Sequence, residues 1–314
     1  MYFIALQKQA VFLYSNVMWI FLVFVYGIIK GLREICKKKS LEKNSVTEVL
    51  LVYTFLSLLI CTPQIPNAVG LTVNQYLWVA LKSFVIFIAW MAGFKAIKKL
   101  PISLCGVLDL SRVLFASLLG VVVLGEKITF FKGIGLLFVS VGLLFLKFNP
   151  FLKKDRMSSS ESNSIAITEE KKKSSNTFFI CLAFLSCILN AVSGLLDKIL
   201  MKEMNSSQLQ FWYTFFLVVY YSIYAIVRRV KINKEIWKNI WVWFLAVGII
   251  VMDKALFIAN GYPESQVTIM TMIKQSSVII AILSGKFIFR EKNILQKMIC
   301  AAIIIIGILI GIMG

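Results

Sequence analysis

Ten apolar blocks separated by short polar or charged stretches set the pattern of this chain. A run of roughly 20 apolar residues crosses a bilayer as a helix. The blocks predict spans over residues 11–32, 47–62, 75–98, 102–124 and 130–146. A second set follows at 177–201, 208–227, 240–260, 265–289 and 295–312. Between the sets, residues 149–176 are polar, with Ser158, Ser159 and Ser160 followed by Glu169, Glu170, Lys171, Lys172 and Lys173. High charge with few apolar residues reads as a flexible linker. The fold class is therefore an all-α polytopic membrane protein with ten transmembrane helices. Its units are a first five-helix repeat over 1–148, the linker over 149–176 and a second five-helix repeat over 177–314.

The halves echo each other in register. Shifted by 165 positions, Ala116, Leu118, Gly120, Glu126 and Lys127 meet Ala281, Leu283, Gly285, Glu291 and Lys292. Trp78 meets Trp243, Lys132 meets Lys297 and Gly142 meets Gly307. Tyr53-Thr54-Phe55 is echoed by Tyr213-Thr214-Phe215. Polar and glycine matches in register point to duplication, because apolar matches alone are common in spans. Five helices per unit is an odd number, so the second repeat must lie inverted relative to the first.

Composition and charge refine this picture. The sequence is 59% hydrophobic, with a mean hydropathy of +0.85 and a net charge of +19. The cations cluster between apolar blocks, as the positive-inside rule describes. Lys37, Lys38, Lys39, Lys43, Lys98 and Lys99, the linker, Arg228, Arg229, Lys231, Lys234, Lys238, Arg290, Lys292 and Lys297 fall on one side. Lys8, Lys127, Lys132 and Lys202 fall on the other. That bias puts both termini outside the cytosol. No basic face interleaves with aromatics on a polar domain, so nucleic acid is not an expected partner. The chain has no histidine, which removes imidazole acid–base chemistry and imidazole metal ligation. Cys36, Cys61, Cys105, Cys181, Cys187 and Cys300 form no CxxC and read as small apolar residues; neither metal nor cofactor is expected. The first block lacks a small-residue cleavage site and reads as a true span rather than a signal peptide.

The segments 103–146 and 268–311 carry a family resemblance. Each has a helix that ends in an acid–lysine turn, Gly125-Glu126-Lys127 or Arg290-Glu291-Lys292, and runs on into an apolar helix with a central glycine. In this the chain resembles the EamA-type branch of the drug/metabolite transporter superfamily, across nearly its whole length. The resemblance implies a transporter whose fourth and ninth helices line a central cavity. It also implies cytosolic termini, against the charge bias. One departure is that Asp109, Ser111 and Arg112 stand where the family has a proline.

A charge near mid-membrane costs roughly 2.5–3.5 kcal/mol on insertion scales, so such residues need a reason. The candidates are Lys82, Asp109, Arg112, Asp197, Lys198, Asp253, Lys254 and Lys274. Asp109 and Arg112 share a helix face, and the 165 shift sets Asp109 on Lys274. Asp109, Arg112, Lys274 and Gln275 are read as substrate-path residues, with Trp90 and Tyr213 as walls for an organic solute. The alternatives are a permanent buried ion pair and, for Tyr53, Trp90, Trp212, Tyr213 and Tyr220, a lipid-facing aromatic belt. Asp253 is the proton-coupling candidate, against a static pair with a lysine on another helix. For Asp197, snorkelling to the interface stands beside a functional role, with both left open. Glu126 and Glu291 read as acids that favour the start of the next helix. Gly27-x3-Gly31 and Gly307-x3-Gly311 read as packing within the bundle.

The function expected is secondary transport of a small organic metabolite, an amino acid or related compound, as export by alternating access with H+ as the candidate coupling ion. The alternatives are exchange of an anionic or phosphorylated metabolite and a non-transporting scaffold or sensor. Without GxxxxGK[ST], DDxxD, HExxH or GxSxG, ATP-driven transport and enzyme chemistry are disfavoured. The partners expected are the small solute and the lipid bilayer, with monomer and homodimer both open. A sequence rich in Lys, Ile and Asn suggests an AT-rich bacterial genome, hence a plasma (inner) membrane.

Overall fold

A computed structural model describes the backbone of residues 2–147, 163–291 and 294–312. It describes side chains over 17–142, 145, 177–291 and 294–311. Helices α1 (Tyr2–Ser40), α2 (Val46–Cys61), α3 (Val73–Lys99), α4 (Ile102–Asp109), α5 (Arg112–Leu124) and α6 (Phe130–Lys147) form the first half. The second half holds α7 (Asn163–Leu200), α8 (Ser206–Val227), α9 (Ile240–Gly261), α10 (Val267–Lys274), α11 (Ser277–Phe287) and α12 (Ile294–Ile312). Among the described residues there is no strand, and eight helical segments are long and apolar enough to cross a membrane. Segments 102–124 and 267–287 each count as one of the eight. Of the other two expected spans, α1 carries Lys30, Arg33 and Glu34 in its apolar stretch, and α6 has a shorter apolar stretch over Phe130–Gly142.

Three sequence expectations need correction. The fourth and ninth helices are not continuous. Each breaks near its middle, at residues 110–111 and 275–276, which are pseudo-equivalent under the 165 shift. At both breaks the amide hydrogens reach back three residues instead of four: Leu110 to Val107 and Ser111 to Leu108, Gln275 to Met272 and Ser276 to Ile273. Polar residues stand at both places, Ser111 at one and Gln275 and Ser276 at the other, and the Gln275 side chain bonds across to the Asp109 carbonyl. The first helix does not end at Leu32. Residues 33–40 are good helix formers, and Lys37, Lys38 and Lys39 suit the negative end of its dipole, so the helix runs on to Ser40. Residues 149–162 of the expected linker lie outside the described residues, but from Asn163 the backbone is helical and continues into α7.

Local signals fix the helix starts. Ser45 and Glu48 form a capping box on α2, Thr72 and Gln75 on α3, and Asn205 and Gln208 on α8. Packing then exchanges the halves: α1 lies along α9 while α7 lies along α3, α4 meets α11 while α10 meets α5, and α2 pairs with α8 as α6 does with α12. Gly307 and Gly311 let α12 approach Gly135 of α6, and Gly27 and Gly31 let α1 approach Ser276 and Ile280. Both motifs serve packing inside the bundle.

The repeated motif explains itself at the ends of the broken helices. Glu126 does not serve the helix that follows it. Its carboxylate accepts the backbone N–H groups of Val267 (2.6 Å) and Thr268 (3.2 Å) and the Thr268 hydroxyl, which caps α10 of the other half. Glu291 in turn accepts from the backbone of Ile102 (2.5 Å) and Ser103 (3.3 Å) and from the Ser103 hydroxyl, which caps α4. Gly120 and Gly285 make room, since a Cβ on either would meet the carboxylate oxygen at 2.8 or 2.9 Å. Lys297 adds a 3.3 Å ion pair to Glu291, and Lys132 at the matching position bonds Gln266. Lys38 and Lys198 also match. Lys38 donates to the carbonyls of Ile97 and Leu100 at the end of α3, and Lys198 to those of Asn260 and Tyr262 at the end of α9.

Each cap joins a buried helix start to a carboxylate, so Glu126→Ala and Glu291→Ala should each cost about 1–2 kcal/mol. Thermal unfolding of the purified protein in detergent measures this, and Glu→Gln should cost less. Arg290 holds φ +48° where its counterpart Gly125 holds +67°. An L side chain is strained there, so Arg290→Gly should raise stability by about 0.5–1 kcal/mol in the same assay.

Candidate functional site

The two helix breaks face a central cavity of about 140 Å3, room for on the order of ten waters. It is walled by α1, α3, α4, α5 and α7 to α11. It runs from Lys82 and Asp197 toward Glu34 and Lys37, at the end of the bundle that carries the α1–α2 and α3–α4 loops.

Six of the seven sequence candidates line it: Asp109, Arg112, Lys274, Trp90, Tyr213 and Asp253. Asp109 ends α4 and pairs across the break with Arg112 at 2.6 Å, which keeps the expected i,i+3 relation. Its second partner is Lys30 of α1, at 2.5 Å. The seventh candidate, Gln275, is fully buried behind the wall. Its side-chain amide donates to the Asp109 carbonyl at 3.0 Å and its oxygen accepts from Lys30 at 3.4 Å. One helix break thus satisfies backbone freed by the other. Lys274 does not pair with Asp109; it lies over the Tyr26 ring at 5.3 Å.

Adjacent charges diverge as the helix turn requires. Lys198 turns away to its capping role, while Asp197 turns inward. Asp197 does not snorkel: it is 5% exposed and pairs with Lys82 at 3.0 Å. Lys82 also sits over the Tyr213 ring at 3.7 Å, so an aromatic face shares the charge that the carboxylate balances. Lys254 leaves the cavity to bond Gln64 (3.1 Å) and Ser207 (2.7 Å), and Asp253 faces the cavity. Among the described residues Asp253 has no cation within 4 Å. Trp90 stands against Tyr213 and Tyr53, with ring centroids 6.2 and 5.7 Å apart. Trp212 and Tyr220 stay outside the cavity and donate to the carbonyls of Ala68 and Ala80.

Sequence reasoning missed three wall residues: Arg33 because it ended the first helix at Leu32, and Tyr26 and Lys30 because neither was weighed within that span. The signal was present: residues 26, 30, 33 and 37 recur at the spacing of one helix face. Arg33 is 7% exposed, with Nη1 3.6 Å from the Met252 sulfur.

Removing one partner of a buried pair strands the other charge. Lys82→Met should therefore destabilise the protein by about 3–5 kcal/mol, and Lys82→Met with Asp197→Leu should regain most of it. Thermal unfolding of the single and double variants measures the coupling.

The EamA-like transporter family model matches residues 17–148 and again 177–313. No curated protein sequence matches significantly. A solved crystal structure superimposes with a TM-score of 0.63 at 11% identity, over 95% of this chain and 97% of that one. At that identity the likeness is one of fold.

Proposed function

The chain belongs to the EamA-like transporter family, is a multi-pass helical membrane protein, and from that premise we propose that it moves a small organic metabolite through the central cavity by alternating access. In this reading α1 and α6 join the eight apolar segments to make ten spans, arranged as two inverted five-helix repeats in a plasma (inner) membrane. The observation that carries the reading is the pair of pseudo-equivalent helix breaks beside the cavity. Irregular backbone at membrane depth is tolerated where it borders protein or a water-filled site, and transporters with inverted repeats use broken helices at their binding sites. The cavity extends toward the end rich in Lys and Arg, which by the positive-inside rule is the cytosolic end. At its other end stand the Lys82–Asp197 pair and the Tyr213 ring, so this conformation is taken as inward-facing.

The substrate path holds Asp109, Arg112, Lys274, Trp90 and Tyr213. Gln275 acts on it indirectly, by tying the α10–α11 break to that of α4 and α5. An amino acid or a related compound is the substrate class in this reading. Asp253 is the residue for proton coupling. It faces the cavity unpaired, with Arg33 of α1, Lys82 of α3, Asp197 of α7 and Lys274 of α10 close enough to act on it through space.

Reconstituted in liposomes, the wild type should take up a metabolite from a mixed library, and Asp109→Asn and Lys274→Gln should each cut flux at least tenfold while leaving the protein folded. Unchanged flux in both variants would move the path elsewhere. Asp253→Asn should abolish the stimulation of flux by a pH gradient yet keep counterflow exchange. If the gradient still drives the variant, coupling lies at another group.

A further inference from the structure

The cavity wall carries six cations, Lys30, Arg33, Lys37, Lys82, Arg112 and Lys274, against four carboxylates, Glu34, Asp109, Asp197 and Asp253. The pairing is uneven. Glu34 holds Lys37 at 2.6 Å, Asp197 holds Lys82 at 3.0 Å, and Asp109 holds both Lys30 and Arg112. Arg33 and Lys274 are left. Among the described residues neither has a carboxylate within 4 Å, although they are only 7% and 8% exposed. Arg33 has a sulfur at one nitrogen and no hydrogen-bond partner at Nε. Lys274 lies over the face of Tyr26 and feels Asp197 and Asp253 only through space, with no ion pair to either. Asp253 is the single carboxylate left to balance them.

Nearly buried cations without an ion-pair partner are costly, because a small cavity at membrane depth solvates them far less than bulk water does. A protein keeps them where a ligand completes them. An arginine fork in particular matches the planar oxygens of a carboxylate or phosphate. The wall also leads outward: Lys30, Arg33 and Lys37 recur on one face of α1, so cations line the cavity from its middle to the end at Glu34. A zwitterion or an organic cation would leave the excess of positive charge in place.

We propose that the substrate is a small organic anion of net negative charge, whose carboxylate or phosphate is bound by Arg33 and Lys274. This rests on the cavity being the transport path and narrows the substrate class. Tyr26 and Trp90 border the same space and can take the apolar part of the solute.

The test uses the full chain in detergent and in liposomes at fixed ionic strength. The probes are glutamate, succinate, glycerol 3-phosphate, leucine and putrescine. Thermal stabilisation and radiolabelled uptake are read for each. The expected result is stabilisation and uptake with one or more of the three anions and neither with leucine nor putrescine. Glutamate and succinate against glycerol 3-phosphate separate a carboxylate from a phosphate site. Lys274→Gln and Arg33→Gln should raise the half-saturating anion concentration at least tenfold, and Arg33→Lys should restore part of it in a variant that retains the charge. Uptake of leucine or putrescine in preference to every anion would overturn the anion assignment and leave the transport reading standing. No binding and no uptake with any probe would overturn both. If both Gln variants stay folded and bind the anion as the wild type does, Arg33 and Lys274 do not form the site.

Discussion

A helix broken inside a membrane leaves backbone groups that water cannot reach, and this constraint organises the molecule. Both breaks are turned inward, to the one place where protein side chains and a polar cavity can satisfy them. The Gln275 amide takes up the Asp109 carbonyl, and Gly27 lets α1 lie directly against residues 273–276. Asp109 itself is fixed by Lys30 and Arg112. The polar cluster at the centre is therefore both what the breaks require and what gives the cavity its chemistry.

The same bonds join the halves. A helix start buried at a bundle end has free N–H groups, and here each is capped by an acid from the opposite repeat, Glu126 for α10 and Glu291 for α4. Neither half can satisfy its own broken helix. Two reciprocal sets of charge-assisted hydrogen bonds thus hold four half-helices in register around the cavity. They leave α2 with α8 and α6 with α12 as pairs that each take one helix from either half. A core of side chains such as Tyr53, Tyr213, Leu217 and Phe257 fills the bundle between α2, α8 and α9. Large apolar residues at the surface, such as Phe130, Leu118 and Leu295, face outward where lipid would lie.

Charge is distributed with the same economy of partners. Lys38 and Lys198 are spent on helix ends, Lys82 on Asp197, and Lys30 and Arg112 on Asp109. What remains in the cavity, Arg33, Lys274 and Asp253, is the part of the charge that structure alone does not require. These three are accordingly the residues on which the functional reading leans.

Much of this was legible in one dimension. The all-helical membrane class, the duplication and its 165-residue offset follow from hydropathy and from polar matches in register, because the bilayer imposes span length and because Gly120 and Glu126 recur at Gly285 and Glu291. Asp109, Arg112, Lys274 and Asp253 stood out for the cost of charge in an apolar block. Other features needed the folded chain. That Glu126 and Glu291 cap the other repeat, and not their own next helix, depends on which helix start lies within hydrogen-bond reach. That Asp197 meets Lys82, and that Lys274 meets an aromatic ring and not Asp109, is set by contacts between residues far apart in sequence. The breaks in the fourth and ninth helices sit where Asp109, Ser111 and Arg112 and, at the matching place, Lys274, Gln275 and Ser276 interrupt apolar spans that hold no proline, and it is tertiary partners for the freed backbone that make the breaks stable. Periodicity reports which face of a helix is buried; it carries no information on what that face is buried against.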